Sequence, residues 1–129
     1  MPKFGRKSKE VLGTCDERFR EILNEVIKYY DFSVISGYRN ATEQNEIFRK
    51  GFSKLQYPDS KHNSSPSVAV DVAPYPIDWK DTRRFDILAG FIMMCAESKD
   101  ISIRWGGDWD NDDDVHDQSF NDVGHFELI

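Results

Sequence analysis

The chain is poor in cysteine, histidine and long apolar runs, and two of these shortages exclude classes of protein. Its two cysteines, Cys15 and Cys95, show neither the spacing of a metal site nor a disulfide framework. No stretch approaches the roughly 18 apolar residues that a membrane-spanning helix needs, so we expect no membrane insertion. No apolar run follows the basic start of the chain, so the sequence predicts no signal peptide.

Positive charge is also in short supply. The 17 Lys and Arg residues face 23 Asp and Glu residues, which leaves a formal net charge of −6. Nucleic-acid binding proteins cluster lysines and arginines over a whole face to contact phosphates, so we expect no nucleic-acid partner. We interpret the basic start of the chain, residues 3–9, as the solvated entry of a helix, with contact to an anionic polymer as the alternative.

The rest of the composition is that of an ordinary globular domain. A length of 129 residues, with 39% hydrophobic and 13% aromatic residues, fits one domain with a core of its own. Apolar periodicity predicts helices over residues 14–30, 40–50 and 81–98, and strands over 31–37, 68–75, 101–107 and 124–129. This order predicts an α+β fold with a small, mainly antiparallel sheet flanked by about three helices.

Capping residues are expected at the starts of the first two helices. Thr14 and Glu17 stand three residues apart ahead of an apolar helical pattern, and so do Asn40 and Glu43. In such a capping box each side chain hydrogen-bonds to the backbone N–H of the other residue. The two pairs therefore predict where these helices begin.

Two histidines and one aspartate are the side chains that point to chemistry. His62 and Asp71 lie in SKHNSSPSVAVDV, and His125 lies in DVGHFELI with Asp122 three residues before it. Two imidazoles and one carboxylate leave a zinc ion one open position, where a bound water becomes nucleophilic near neutral pH. Asp122 could then serve as the base. These residues predict a hydrolase, and structural hydrogen bonds are the alternative role for His62 and Asp71.

The segment before His125 has to turn if Asp122 is to reach the same site. On an extended strand, positions 122 and 125 point to opposite faces. We therefore expect a turn at residues 123 and 124, which Gly124 makes possible because glycine adopts backbone conformations that other residues avoid.

An acidic loop offers a second candidate cation site. Four aspartates occupy positions 1, 3, 5 and 7 of a calcium-binding loop pattern: Asp108, Asp110, Asp112 and Asp114. The pattern is incomplete, because Asp113 stands where glycine is expected and Ser119 where a bidentate Glu belongs. A bound Ca²⁺ is one interpretation of this loop, and a solvated acidic surface is the other.

Several short motifs accompany these residues in a fixed order. They are SGYR at 36–39, Gln44, SKH at 60–62, AVDVAPY at 69–75, WGGDW at 105–109 and DVGHFEL at 122–128. Together they resemble the zinc peptidases of the group that contains VanY-like D-alanyl-D-alanine carboxypeptidases and phage L-alanyl-D-glutamate endolysins. Several motifs that occur together over nearly the whole chain are far more specific than any single one.

The resemblance implies a role for each residue of the predicted site. It implies zinc ligands at His62, Asp71 and His125, and a general acid/base at Asp122. Arg39 is expected to face the substrate, since a guanidinium with several donors suits an oxyanion or a carboxylate. A carboxylate that orients a ligand histidine is the alternative for Asp122, and a structural salt bridge is the alternative for Arg39.

Substrate contacts are expected from Tyr38, Gln44 and Ser60, with packing and turn-forming roles as the alternatives. The chain departs from the family pattern at one point. Eight residues separate His62 from Asp71, two more than in the dipeptidases of the group. Loops absorb such insertions at little cost, so we expect the ligands to keep their places.

The function that the resemblance implies is zinc-dependent hydrolysis of the L-alanyl-D-glutamate bond in peptidoglycan stem peptides. Residues 1–129 are expected to form one catalytic domain of the hedgehog and DD-peptidase type, monomeric and without a separate cell-wall-binding domain. We expect a phage lysin held in the host cytoplasm until lysis. The alternatives are a D-alanyl-D-alanine carboxypeptidase and a non-catalytic wall-binding module stabilised by zinc.

Overall fold

The computed structural model describes residues 1–108 and 122–129. In these ranges the helices are α1 (Arg6–Leu12), α2 (Glu17–Val26), α3 (Ala41–Arg49) and α4 (Thr82–Ser98). The strands are β1 (Phe32–Ser36), β2 (Ala69–Pro74), β3 (Ile103–Trp105) and β4 (His125–Leu128), and a 3-10 helix (Lys61–Asn63) precedes β2. No helix in the described ranges combines the length and the apolar character that crossing a bilayer requires.

The four strands form one antiparallel sheet in the order β1-β2-β4-β3, so the predicted α+β class is confirmed. The last strand of the chain lies between β2 and β3. Asp71 of β2 therefore pairs directly with His125 of β4. An irregularity in β1 shifts its register after Val34, and Ser36 then stands opposite Asp71. The sheet thus places three segments of the predicted site side by side.

The two faces of the sheet have different chemistry. On one face, every second side chain of β2 and β4 is buried in the core, namely Val70, Val72, Phe126 and Leu128. They are buried there together with residues of α2 and α4. Burying a side chain of this size stabilises the fold by about 1.5–3 kcal/mol. Since successive residues of a strand point to opposite faces, Asp71, His125 and Glu127 lie on the other face.

The basic start of the chain forms a helix of its own, α1, which the sequence analysis described only as a helix entry. Ser8 and Leu12 of this helix are buried. The Ser8 hydroxyl accepts a hydrogen bond of 3.0 Å from the backbone N–H of Val34 in the edge strand β1. Helix α1 thereby covers a polar edge of the sheet. Helix α2 is shorter than predicted and ends at Val26.

The capping box predicted at Thr14 and Glu17 is wrong. Asp16 caps α2, because its side chain accepts a hydrogen bond from a backbone N–H of the first turn. Thr14 lies in the connection between α1 and α2, since α1 occupies the chain just before it. The box at Asn40 and Glu43 is confirmed, with its two hydrogen bonds at 2.9 and 3.0 Å.

Candidate metal centre

His62, Asp71 and His125 come together on the polar face of the sheet, with one donor atom from each within 4.8 Å of the others. His62 Nε2 lies 3.3 Å from His125 Nδ1 and 3.4 Å from Asp71 Oδ2. Asp71 Oδ1 lies 3.0 Å from His125 Nδ1. Ligands of a tetrahedral zinc ion, with bonds of about 2.0–2.2 Å, are separated by roughly 3.3 Å. The three donor atoms therefore stand at distances that suit one such ion.

The sheet and one loop supply these three residues. Asp71 and His125 are cross-strand partners in β2 and β4. His62 belongs to the 3-10 helix, and its carbonyl oxygen accepts a hydrogen bond of 2.8 Å from the backbone N–H of Arg39, just beyond β1. This hydrogen bond holds the loop that carries His62 against the end of β1.

Each imidazole has a hydrogen-bond partner on the nitrogen that faces away from the cluster. His62 Nδ1 lies 2.7 Å from the carbonyl oxygen of Gly37, and His125 Nε2 lies 2.9 Å from Glu127 Oε1. Both partners are acceptors, so these nitrogens carry the hydrogen when the imidazoles are neutral. The lone pairs of His62 Nε2 and His125 Nδ1 then face each other and Asp71.

Glu127 belongs to this site, although the sequence analysis did not single it out. Its residue is 8% exposed. Its Oε2 lies 2.8 Å from Arg104 Nη2 and 3.3 Å from Lys61 Nζ. Burial by itself would raise the pKa of Glu127, but hydrogen bonds from His125 and Arg104 lower it to about 2. A signal was present in the sequence, since HFE places a histidine and a glutamate on one face of a strand.

The cluster shifts the pKa values of its own members. Burial alone would raise the pKa of Asp71, but the charge of His62 and the hydrogen bonds from both histidines hold it well below its usual range. Burial opposes protonation of His125, but hydrogen bonds to Asp71 and Glu127 raise its pKa to about 9. A protonated His125 carries hydrogen on both nitrogens and must lose one before Nδ1 can bind a metal.

Asp122 lies at the turn that precedes His125. The predicted turn is present, because the backbone N–H of His125 donates to the carbonyl oxygen of Asp122 at 3.1 Å. Burial, and after it the negative charge of Asp71, raises the pKa of Asp122, while the imidazoles and Arg39 oppose the rise. These charges belong to the cluster of His62, Asp71 and His125 and to the neighbouring Arg39, so Asp122 lies in the same electrostatic environment. A raised pKa suits proton exchange closer to neutral pH.

Two glycines allow the backbone to pack closely around this turn. A Cβ atom at Gly106 would collide with the carbonyl oxygen of Asp122. A Cβ atom at Gly124 would lie 2.5 Å from the carbonyl oxygen of Val72 in the neighbouring strand. Any larger residue at either position would push the turn away from the sheet.

Arg39 lies beside Asp71 and forms a salt bridge with it. Its Nη2 is 2.6 Å from Asp71 Oδ2, its Nε donates to Ser36 Oγ at 3.0 Å, and its Nη1 donates to Gln44 Oε1 at 3.3 Å. The side chain is 17% exposed. The salt bridge that was one interpretation of Arg39 is therefore present. The guanidinium also lies next to the cluster, and its contact with substrate stays a prediction.

The three residues predicted to bind substrate have different surroundings. Gln44 is fully buried, and its amide contacts Arg39, Asn63, Ser53 and Leu55. Ser60 is buried and caps the 3-10 helix by accepting a hydrogen bond of 3.2 Å from the N–H of His62. Tyr38 is 38% exposed. Substrate contact stays a prediction for all three, and the contacts of Gln44 and Ser60 are those of positioning residues.

The predicted calcium loop lies mostly outside the described residues. Asp108 is described and is buried, with its backbone N–H donating to the carbonyl oxygen of Trp105 at 3.0 Å. Asp110, Asp112 and Asp114 fall in the part of the chain that the structure does not describe. Calcium binding therefore stays a prediction.

The chain is similar to known peptidases over its whole length. Residues 1–129 match the family model described as phage L-alanyl-D-glutamate peptidase. The L-alanyl-D-glutamate peptidase of Escherichia phage T5 is 30% identical over 135 residues, which cover 98% of each chain. The crystal structure of Serratia marcescens L-Ala D-Glu endopeptidase ChiX matches with a TM-score of 0.79 and 25% identity, over 98% of this chain and 90% of that one. The chain therefore belongs to the phage L-alanyl-D-glutamate peptidase family.

Proposed function

We propose that this protein hydrolyses the L-alanyl-D-glutamate bond of peptidoglycan stem peptides with a zinc ion held by His62, Asp71 and His125. Family membership supports the choice of bond and favours it over D-alanyl-D-alanine trimming. The observation that carries the metal assignment is the spacing of the three donor atoms, 3.0, 3.3 and 3.4 Å. Within residues 1–108 and 122–129, three side chains form this cluster. Three protein ligands would leave a coordination position open, which is typical of catalytic zinc sites, whereas structural sites are closed by four.

The chemistry of the donor set also fits zinc. Imidazole nitrogen and carboxylate oxygen are both common zinc ligands. Metal-bound histidines usually donate their other N–H to a carbonyl or a carboxylate, and here Gly37 and Glu127 offer one of each. The lowered pKa of Asp71 keeps that side chain in the ionised form that binds a cation.

Asp122 is proposed to move the proton. A zinc ion held by His62, Asp71 and His125 would polarise the scissile carbonyl and lower the pKa of a water molecule to about 7. The carboxylate of Asp122 accepts a proton from the attacking water and passes it to the nitrogen of the departing D-glutamate. Burial and the charge of Asp71 raise the pKa of Asp122. This raised pKa helps, because a group that both takes and returns a proton works best near the pH of the reaction.

Arg39 is proposed to orient Asp71 and to stabilise negative charge on the substrate. Its salt bridge to Oδ2 leaves Oδ1 facing His125 and so orients the carboxylate. The guanidinium lies next to the cluster. In the proposed mechanism it stabilises the negative charge that develops on the scissile carbonyl oxygen. As a phage lysin, the protein would meet its peptidoglycan substrate at host-cell lysis.

The experiment is hydrolysis of a synthetic stem peptide that contains the L-alanyl-D-glutamate bond. Chelation should abolish hydrolysis by the zinc-loaded protein, and added zinc should restore it. Asp122→Ala should lower kcat by about 10²–10⁴ while the protein keeps its zinc. Asp31 is an exposed carboxylate at the far end of β1, so Asp31→Ala is the matched control and should be fully active. Full activity after chelation, or in Asp122→Ala, would contradict the proposal.

A further inference from the structure

Glu127 is a buried carboxylate to which the proposed reaction gives no direct part. Both of its oxygens have partners. Oε1 lies 2.9 Å from His125 Nε2, and Oε2 lies 2.8 Å from Arg104 Nη2 and 3.3 Å from Lys61 Nζ. Two cations on one oxygen favour the ionised form, and an ionised carboxylate makes short, strong hydrogen bonds. Glu127 therefore presents a charged acceptor to the outer nitrogen of His125.

We propose that Glu127 is a positioning residue that holds His125 in the tautomer whose Nδ1 faces the metal. An ionised carboxylate can only accept, so Nε2 of a neutral His125 must carry the hydrogen. The free lone pair is then on Nδ1, which lies 3.0 Å from Asp71 Oδ1 and 3.3 Å from His62 Nε2. This inference rests on the zinc site of the proposed function.

Lys61 and Arg104 fix the carboxylate from the side opposite His125. Lys61 directly precedes His62, and its Nζ also donates to the carbonyl oxygen of Leu128 at 2.6 Å. Arg104 in β3 is the cross-strand partner of Glu127 in β4. Contacts from β3 and from the 3-10 helix thus meet at one carboxylate. These two elements of the fold therefore set the position of the carboxylate.

Glu127→Gln should reverse the hydrogen bond to His125. Arg104 and Lys61 can only donate, so the amide oxygen of the glutamine will turn toward them. The amide nitrogen then donates to His125 Nε2. That nitrogen becomes the acceptor and Nδ1 carries the hydrogen, which is the tautomer that cannot bind a metal at Nδ1.

The first test is the zinc affinity of the full chain, measured by competition with a chromophoric chelator. We expect Glu127→Gln to bind zinc about 10–100-fold more weakly than wild type. Glu46→Gln makes the same chemical change at an exposed carboxylate paired with Arg49, and its affinity should equal that of wild type. Equal affinities in all three proteins, with an active wild type, would overturn the positioning role alone. A wild type that binds no zinc would overturn the proposed function with it.

The second test needs no variant and so does not depend on how Glu127→Gln folds. The chain has three histidines, so their imidazole ¹⁵N resonances can be assigned in the zinc-loaded protein. We expect His125 to show a hydrogen on Nε2 and zinc on Nδ1. Zinc on Nε2 would overturn the proposal, and so would a hydrogen on Nδ1.

Discussion

The two histidines of the candidate metal centre are held in place by different contacts. His62 lies in a short 3-10 helix within a long loop, and its outer nitrogen meets a neutral backbone carbonyl at Gly37, 2.7 Å away. His125 lies in a strand, and its outer nitrogen meets the carboxylate of Glu127 at 2.9 Å. The first imidazole depends on backbone geometry. The second depends on a side chain and on the two cations that fix that side chain.

This difference divides the site into two parts with separate tasks. The His62 arm (residues 60–63) supplies one ligand on a capped helical turn. The His125 arm (residues 122–128) supplies a ligand, the proposed proton carrier Asp122 and the charged partner Glu127. In the proposed mechanism, proton transfer is therefore concentrated in the C-terminal segment. Substitutions in the two arms should have effects of different kinds.

The largest effects should separate metal binding from proton transfer. His62→Ala removes a ligand, and we expect it to lose both zinc and hydrolysis. Asp122→Ala leaves all three ligands in place, so it should retain one zinc per chain while kcat falls by about 10²–10⁴. Metal analysis of both purified variants, alongside their kcat values, checks this. If Asp122→Ala lost zinc as completely as His62→Ala, the division between the arms would be wrong.

The next largest effect is the loss of stability of the metal-free protein as the pH rises. The pKa of His125 is about 9 in the folded chain, against 6.5 for an ordinary histidine. Because the folded value is the higher one, this stabilisation is fully present below about pH 6.5 and is lost as the pH rises through about 9. A shift of this size corresponds to about 3 kcal/mol. The Tm of chelator-treated protein should fall across this range, and a Tm that rises would contradict the assignment.

Zinc affinity should have the opposite pH dependence to the stability of the metal-free protein, because the metal and the proton compete for Nδ1 of His125. Zinc affinity should rise over the same pH range in which the metal-free protein loses stability. Titration calorimetry at pH 7, in two buffers with different ionisation enthalpies, measures the protons released. We expect at least about one proton per zinc. Zinc binding without proton release would show that His125 is not the protonated ligand.

A smaller effect, on stability alone, is expected when Gln44 near the His62 arm is replaced. Gln44 is fully buried, and its amide links Arg39, Asn63 and the segment that contains Ser53 and Leu55. Gln44→Ala removes one hydrogen-bond partner from each of these groups, and we expect a loss of about 2 kcal/mol in the free energy of unfolding. Urea denaturation measures it.

Gln56→Ala is the matched control, because Gln56 is exposed, and its stability should stay within about 0.5 kcal/mol of wild type. Gln44→Ala should keep its zinc, since no ligand is changed. A Gln44→Ala protein as stable as Gln56→Ala would show that the buried amide does not support the loop.

The sequence predicted which side chains cluster at the candidate site more readily than the contacts that support them. His62, Asp71 and His125 could be singled out because few residue types bind zinc and the chain has three histidines. Alternating apolar residues also indicated the antiparallel sheet. The turn at Gly124 was predicted from strand geometry together with the roles assigned to Asp122 and His125, because on a straight strand these two side chains would point apart.

The supporting contacts depend on tertiary register, which the sequence does not show. The carbonyl of Gly37 reaches His62 only after β1 and the loop have packed together. Glu127 had a local signal two residues after His125, but its role depends on Arg104 and Lys61 from other elements. Helix α1 was missed because it is short and basic, and short helices are stabilised by packing more than by their own periodicity.

Mass spectrometry of the fragments released from purified peptidoglycan most directly tests whether this zinc-loaded protein cuts between L-alanine and D-glutamate. Asp122→Ala run in parallel controls for any contaminating hydrolase. We predict fragments with a new D-glutamate amino terminus in the wild-type digest and none in the Asp122→Ala digest. Release of terminal D-alanine alone would contradict the proposed function and would make the protein a carboxypeptidase.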